Sequence, residues 1–600
     1  MIVGSAVRRS AYYDSVALMQ AQQTLRSLPG IAEAGVVMGT EANLELLRQA
    51  GLDPGGLVAT ADDLVVAVRG DTEAHVEAAL SSVDGLLRTR REGAEDEGYR
   101  PRTIAAATRM LPGANLALIS VPGRFAARVA REALQTGLNV MLFSDNVPVE
   151  DEVRLKQTAQ ARGLLCMGPD CGTALIAGAA LGFANRVRRG PIGLVGAAGT
   201  GLQEVSSSVH RLGGGVSHAL GAGSRDLTSE VGGAAMLQEL ALLGDDPATT
   251  TVVVVSKPPD ATAAGRLTER AATFGKPVVL ALVGAPAAQG SGTLYPVATL
   301  EEAALVAVAL AGGAPRTAAD EGRAWIERAT ERVETARERL APSQRYLRGL
   351  YSGGTLCAEA VGLLEPVLSP LHSNVRMGGV RALASPGRSE AHTMLDLGAD
   401  EFTVGRLHPM LDMTLRAQRL AQEGDDPTVA VILLDLVLGE GVHPYPAGAL
   451  AAATSHARAA AASAGRDLVV VATVCGTDDD PQNRAHQVAQ LEAVGVLVEE
   501  TNARAVALAG AIVSGQAGRE RLWAGLRYPA RQYGTEVSPQ MANGSAAAPP
   551  LLCERPRVVN VGLARFAESL RGQHVPVIDL DWRPPTEHDR AMLDLLEKLE

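Results

Sequence analysis

Short, nearly continuous apolar runs recur along this chain, each followed by a glycine-rich turn and an amphipathic stretch. That is the pattern of parallel strands covered on both faces by helices. Residues 1–95 alternate β-rich runs (34–38 and 64–68) with a segment of helical spacing, which predicts a small N-terminal α/β domain. A mixed acidic and basic stretch, 88–102, reads as a linker. From 103 to 189 the order is strand (116–120), helix (123–134) and strand (140–143), which predicts a Rossmann-like layer.

A third unit, 190–315, opens with the apolar run 192–195 and the turn Gly196-Ala197-Ala198-Gly199-Thr200-Gly201, and carries later strands at 251–255 and 277–282. Residues 316–344, rich in Ala, Glu and Arg, read as a solvated connecting helix that Pro342 ends. The unit 345–533 then repeats the one before it. Gly-Thr-x-x-x-Glu occurs at 199–204 and again at 354–359, run 429–434 answers 251–255, and run 468–472 answers 277–282. An internal duplication accounts for this spacing. Residues 534–550 are rich in Gly, Ser, Ala and Pro and read as a mobile linker. They precede a C-terminal tail, 551–600, with a strand-like run at 575–579. The expected class is multidomain α/β.

Composition narrows the function. Six hundred residues with 46% apolar and 20% charged side chains describe a globular chain of several domains, not a disordered, collagenous or disulfide-built one. The 55 Lys and Arg against 67 Asp and Glu give −12, which argues against a nucleic-acid or anionic-membrane surface and leaves a small, locally bound anion open. With 3% aromatics and 64 glycines, a site built from backbone is favoured over a stacking surface. No secretory pattern or membrane-length apolar run occurs, so a cytoplasmic location is expected. The five cysteines form no CxxC pair, and neither a metal site nor a disulfide is expected.

Each Gly-Thr-x-x-x-Glu follows a strand and opens a helix, where free N–H groups and the positive end of the helix dipole meet an anion. Gly199, Thr200 and Gly201, with Gly353, Gly354 and Thr355, are therefore phosphate-binding candidates, and two such helix ends can grip one phosphoryl group from both sides. Simple capping explains either turn alone equally well. Glu204 and Glu359 are the catalytic candidates, as groups that orient a nucleophile. In the Rossmann-like layer, Pro122 and the run Gly168, Pro169, Asp170, Cys171 lie beyond strand ends, where ligands bind in open parallel sheets. Gly-Pro-Asp is also an ordinary turn, and Cys171 has no base nearby in sequence. His408 and His443 follow strand-like runs as weaker acid/base or carboxylate-binding candidates. Asp226 and Asp400 read as a second duplicated pair, and Asp478-Asp479-Asp480 as a solvated acidic run.

The motifs 120–125, 136–140 with Pro148, 168–172, and Gly199-Thr200 with Glu204 resemble the succinate–CoA ligase α subunit, and 351–359 resembles the ligase-CoA domain of its β subunit. Tyr12-Tyr13-Asp14-Ser15, Val37-Met38-Gly39-Thr40, 211–218, Ser256-Lys257-Pro258-Pro259, 346–355 and Asp581-Trp582-Arg583-Pro584-Pro585 resemble the FdrA family of acyl-CoA-synthetase-like proteins over essentially the whole chain. The resemblance implies a CoA-binding-type Rossmann domain followed by two flavodoxin-like, succinyl-CoA synthetase-like domains. In the ligases, two helix N-termini hold a phosphohistidine and a carboxylate steadies it; Glu204 falls on that carboxylate's position. This chain has no histidine in the corresponding loop, 284–292, and lacks the Gly-rich CoA loop, a P-loop and room for an ATP-grasp domain. The family is associated with purine and allantoin nitrogen catabolism, beside a carbamate kinase and two further subunits, and with oxamate carbamoyl transfer. The resemblance thus implies a hetero-oligomeric carbamoyltransferase subunit acting on small carboxylate and phosphate ligands. Carbamoyl phosphate or phosphate would be substrate, no cofactor would be tightly bound, and CoA is a further possible ligand. The alternatives are an acyl-CoA ligase whose nucleotide site lies on a partner chain and a non-catalytic assembly scaffold.

Overall fold

The computed structural model describes residues 1–9, 15–26, 28–39, 43–44, 47–48, 50–52, 58–60, 63–92, 100–284, 290, 292–312, 318–403, 407–528 and 550–584. The Tyr12-Tyr13-Asp14 motif, most of the 284–292 loop and of the 534–550 linker, and Pro585 lie outside them.

The chain is a multidomain α/β protein with largely parallel sheets. At the N-terminus, strand Leu64–Gly70 pairs antiparallel with Ile2–Arg8 on one side and Ile31–Met38 on the other. Helices Ser15–Arg26 and Glu73–Glu92 accompany this sheet. Val76, Ala79 and Val83 fall on one helical face and are buried, which extends the second helix into the stretch expected to be linker.

The Rossmann-like sheet runs Cys166–Met167, Asn139–Leu142, Leu116–Ile119, Val558–Val561, Val577–Asp579, all parallel. Its last two strands come from the segment expected to be a C-terminal tail. Val558, Val559 and Val561 are fully buried, and they cover what would otherwise be an open edge at Leu116–Ile119. Trp582 then packs on Phe125 at 5.6 Å, and Arg100 pairs with Asp579 at 3.2 Å.

Residues 173–182, expected within that layer, instead form a hairpin, Thr173–Ile176 with Ala179–Gly182, on the edge of the next sheet. Ala177 and Gly178, at φ 48° and 80°, make the tight turn. That sheet continues through parallel strands Val216–Gly221, Arg189–Ala197, Thr251–Ser256, Val278–Leu282 and Leu294–Pro296.

The third large sheet has the order Leu371–Ser373, His392–Asp396, Tyr346–Tyr351, Val429–Val437, Val469–Cys475, Leu497–Glu499. Five of its strands, His392–Asp396 through Leu497–Glu499 in that order, repeat the parallel strands of the one before, whereas at the far edge the parallel strand Leu371–Ser373 stands where the first copy has the antiparallel hairpin. Both copies end in a closing helix after the last strand: Leu300–Leu310 in the first and Asn502–Val513 in the second. The two copies share one continuous apolar core. The connecting helix Ala318–Arg339 buries Trp325, Ala329 and Val333 on that core, and Trp325 Nε1 donates to Glu499 at 2.8 Å, so one of its faces is packed rather than solvated. Among the described residues no helix is long and apolar enough to cross a membrane.

Candidate functional site: two facing strand-to-helix turns

The central strand of each duplicated sheet leads directly into a glycine and threonine, where helices Gly199–Arg211 and Gly354–Leu364 start without a side-chain cap. The two starts meet. The Thr355 amide donates to Thr200 Oγ1 at 3.3 Å, and a Cβ on Gly201 would lie 2.8 Å from the Thr355 methyl. Glycine at 201 and 353 is therefore a requirement of close approach between helices. Thr200 and Thr355 are buried at this contact, while Gly199 and Gly354 remain half-exposed at its rim.

The two turns differ in what already occupies them. The second holds an internal anion: Asp435 accepts from the Ser352 amide at 2.8 Å, the Gly353 amide at 2.7 Å and the Ser352 hydroxyl at 3.0 Å, with Arg416 at 2.9 Å neutralising it. Strand register explains the asymmetry. Gly196 sits beside Val255 in the first copy, and Leu350 beside Leu434 in the second, so the equivalent of Val255 is Asp435. The expectation that Gly353 and Thr355 bind phosphate is thereby corrected, because their N–H groups already donate to Asp435 and Thr200. The first turn has no such carboxylate. Instead Thr173 Oγ1, buried and without a hydrogen-bond partner, lies 3.6 Å from the position a Cβ on Gly199 would take.

Loops from neighbouring strand ends close over this point. Lys257, following Thr251–Ser256, brings Nζ to 2.6 Å from the Cβ position of Gly354 and 3.9 Å from Asp396 Oδ2. A lysine at the positive end of a helix is unfavourable unless an anion shares the space. Asp396, at the end of His392–Asp396, is raised by burial, with Lys257 opposing. Asp170 has one face open to solvent, but the surrounding protein pushes it up to about 6, against a bond from Ser224 and the charge of Lys257. Asp145 is raised by burial too, and Asp400 adds to the rise.

The remaining candidates are distributed as follows. Glu204 and Glu359 point away from the rim into the interface between the copies. Glu204 accepts from the Asn502 amide at 3.2 Å, the first residue of one closing helix, and Glu359 from the Leu300 amide at 2.7 Å, the first residue of the other. Each copy thus caps the other's helix, and Asn502 Nδ2 joins them by donating to Glu359 at 2.8 Å. Gly168 and Pro169 pack against Gly223 and hold Asp170 in the crevice. Cys171 is buried against the Thr173 carbonyl, its thiol raised by burial, as a structural cysteine. Pro122 precedes helix Gly123–Gln135. Gly123 packs on the carbonyls of Asp145 and Asn146. His408 reaches the crevice, its Nε2 lying 2.8 Å from the Cβ position of Gly398. His443 bonds within its own loop, Nδ1 accepting from Tyr445 N at 3.0 Å.

Asp226 and Asp400 do not share a role: Asp226 is a buried cap for Ala235 and Met236 paired with Lys156 at 2.7 Å, whereas Asp400 is exposed. In the acidic run, Asp480 turns inward to accept from Arg186 N at 2.7 Å and Asn185 Nδ2 at 2.8 Å, tying the copies together. Sequence reasoning passed over Thr173, Lys257, Asp396 and Asp435 as site residues. Two carried a usable signal: Lys257 directly ends a buried strand, and Asp435 interrupts an otherwise apolar one.

Residues 350–512 match the CoA-ligase family, and residues 1–102 match a family described as AllF, heavy metal-associated domain. The second match does not bring a thiolate metal site with it. The first cysteine of the chain is Cys166, and among the described residues no cluster of three His, Cys, Asp or Glu is arranged to hold an ion. The chain is 42% identical over 505 residues to the uncharacterized protein YahF of Escherichia coli strain K12, covering 84% of this chain and 97% of that one. It is 29% identical over 137 residues to succinate–CoA ligase [ADP-forming] subunit alpha 2 of Archaeoglobus fulgidus, covering 22% of this chain and 46% of that one. Among solved structures, the apo dinucleotide-forming acetyl-coenzyme A synthetase 1 of Ca. Korarchaeum cryptofilum is 14% identical with a TM-score of 0.28, over 69% of this chain and 84% of that one.

Proposed function

The chain belongs to the FdrA-type acyl-CoA-synthetase-like family, and from that premise we propose that it is the phosphate-handling subunit of an oxamate carbamoyltransferase in allantoin nitrogen catabolism. In the proposed reaction oxalurate and phosphate give oxamate and carbamoyl phosphate. The observation that carries the reading is the open first turn. Gly199, Thr200 and Gly201 begin a helix with no side-chain cap, an unpartnered Thr173 hydroxyl faces Gly199, and Lys257 stands across the rim. These are the donors a phosphate dianion needs, and they are fixed before it arrives. The AllF description of the first 102 residues supports the allantoin setting. Glu204 and Glu359 act in this reading as positioning residues, by fixing the two copies against each other so that the turns stay in contact.

Carbamoyl phosphate formation from oxalurate and phosphate, measured for the chain alone and co-expressed with its genomic neighbours, tests this directly. Product is expected with the partners present. Lys257→Met is expected to raise the KM for phosphate about 10- to 100-fold, the worth of one charge-assisted contact. A second reading, an acyl-CoA ligase with its nucleotide site on a partner chain, is favoured by the CoA-ligase match at 350–512. CoA-dependent nucleotide turnover with an organic acid, and none with oxalurate, would decide for it. Full turnover in Lys257→Met would instead point to a scaffold.

A further inference from the structure

We propose that Asp396 is the internal counter-anion of Lys257, which phosphate displaces when it binds, so that this carboxylate sets how tightly the first turn holds phosphate. The assignment rests on the phosphate reading above and adds a positioning residue that reading does not use. Strand register fixes where Lys257 begins. Ser256 lies beside Ala197, so Lys257 leaves its strand alongside Ala198, the residue that precedes Gly199 and the open first turn. Its side chain ends elsewhere, with Nζ at the rim of the second turn against Gly354, where Asp396 Oδ2 also stands. The two turns touch through Thr200 and Thr355, so rotation about the lysine's own bonds carries the ammonium from one to the other.

The pair is built to separate. Nζ and Oδ2 are 3.9 Å apart, too far for a hydrogen bond, and among the described residues Nζ donates to nothing, so all three of its N–H groups are available to an incoming anion. Only one partner is free to move. The Lys257 side chain is 33% exposed, whereas Asp396 is buried and fixed at its strand end: its amide donates to Asn374 Oδ1 at 2.9 Å, and its Oδ1 accepts from the Gly398 amide at 3.0 Å. The groups facing the carboxylate are Lys257, Asp435, Glu401, the buried Cys357 thiol and His408. Burial raises Asp396, Asp435 and Glu401 add repulsion, and Lys257 opposes them. When Lys257 turns to phosphate, the carboxylate left behind takes a proton from solvent, and no unpaired charge stays buried. An internal anion that competes for the lysine also weakens the hold on a phosphate-bearing product and so favours its release.

Two measurements on the full chain in its complex test this, both with inorganic phosphate and neither needing turnover. In titration calorimetry, Asp396→Asn, whose amide oxygen still accepts from Gly398, is expected to bind phosphate about 3- to 10-fold more tightly than the wild type. Lys257→Met should bind it about 10- to 100-fold more weakly. The double variant separates release of the lysine from simple relief of repulsion, and it is expected to match Lys257→Met to within about twofold, because without the ammonium there is nothing to release. In spectra, the chain's four lysines make Lys257 readable in the wild type itself. In 13C-lysine-labelled protein its ε-carbon signal, identified by its loss in Lys257→Met, should move when phosphate is added. A folded Asp396→Asn that binds phosphate no more tightly than the wild type overturns the assignment. So does a double variant that binds several-fold more tightly than Lys257→Met, or a Lys257 signal that stays in place while phosphate binds. These outcomes leave the phosphate reading of the first turn standing, whereas a wild-type complex that binds no phosphate overturns both.

Discussion

Replacing Asp435 with alanine is expected to destabilise the second duplicated domain by about 3–5 kcal/mol, the cost of leaving a buried charge without its partner. Arg416 is fully buried, and its Nε and Nη1 already lack partners, so the Asp435 carboxylate is its only counter-charge among the described residues. The same carboxylate satisfies the Ser352 and Gly353 amides, which would be orphaned at a buried helix start. Thermal unfolding combined with limited proteolysis of residues 345–528 reads the effect. Added formate, which fits the vacated space, should raise the melting temperature of Asp435→Ala and leave the wild type unchanged. A variant as stable as wild type would mean that the internal anion does not hold the second turn.

The second large effect is on stability against pH. Glu359 is pushed up to about 7 from 4.5 by burial, against bonds from Leu300 and Asn502 and with Glu204 and Glu301 adding repulsion. A carboxyl group whose folded value is raised keeps its protonated form in the native state. Its contribution is complete below about 4.5 and is lost as pH rises through about 7. The total is on the order of 3 kcal/mol. Glu359→Gln is expected to flatten this part of the profile, so its melting temperature should fall less than that of wild type between pH 5 and 8. Asp170 and Asp480, each raised to about 6, titrate in both proteins and cancel in the comparison. Parallel profiles for the two proteins would exclude Glu359 as the source.

The duplication and both strand-to-helix turns were legible because their determinants are local: an apolar run followed closely in sequence by a glycine, a threonine and a glutamate. The difference between the turns was not. It depends on Asp435, 83 residues from the Ser352 amide it bonds, and on its register beside the central strand. Glu204 and Glu359 stood out as a repeated pair of catalytic candidates, but their hydrogen bonds go to Asn502 and Leu300, 298 and 59 residues away. Periodicity carries no information about such pairings. The hairpin 173–182 was misplaced for the same reason: its strands are apolar enough for either sheet, and the turn at Ala177-Gly178 decides which one they join.

Because Val558–Val561 lies between Leu116–Ile119 and Val577–Asp579, the Rossmann-like sheet is the second one a ribosome begins and the last it can finish. The Leu563 amide closes onto Ser120 Oγ across 443 residues. At roughly 5–20 residues per second, that edge waits on the order of 20–90 s for its partner strand during synthesis. Through that interval one edge of the apolar strand Leu116–Ile119 stands unpaired, its other edge being held by Asn139–Leu142, while both duplicated domains have their sequence in hand and can fold. Nascent chains stalled before residue 550 should therefore depend on a chaperone to guard one edge, and those released after 584 should not.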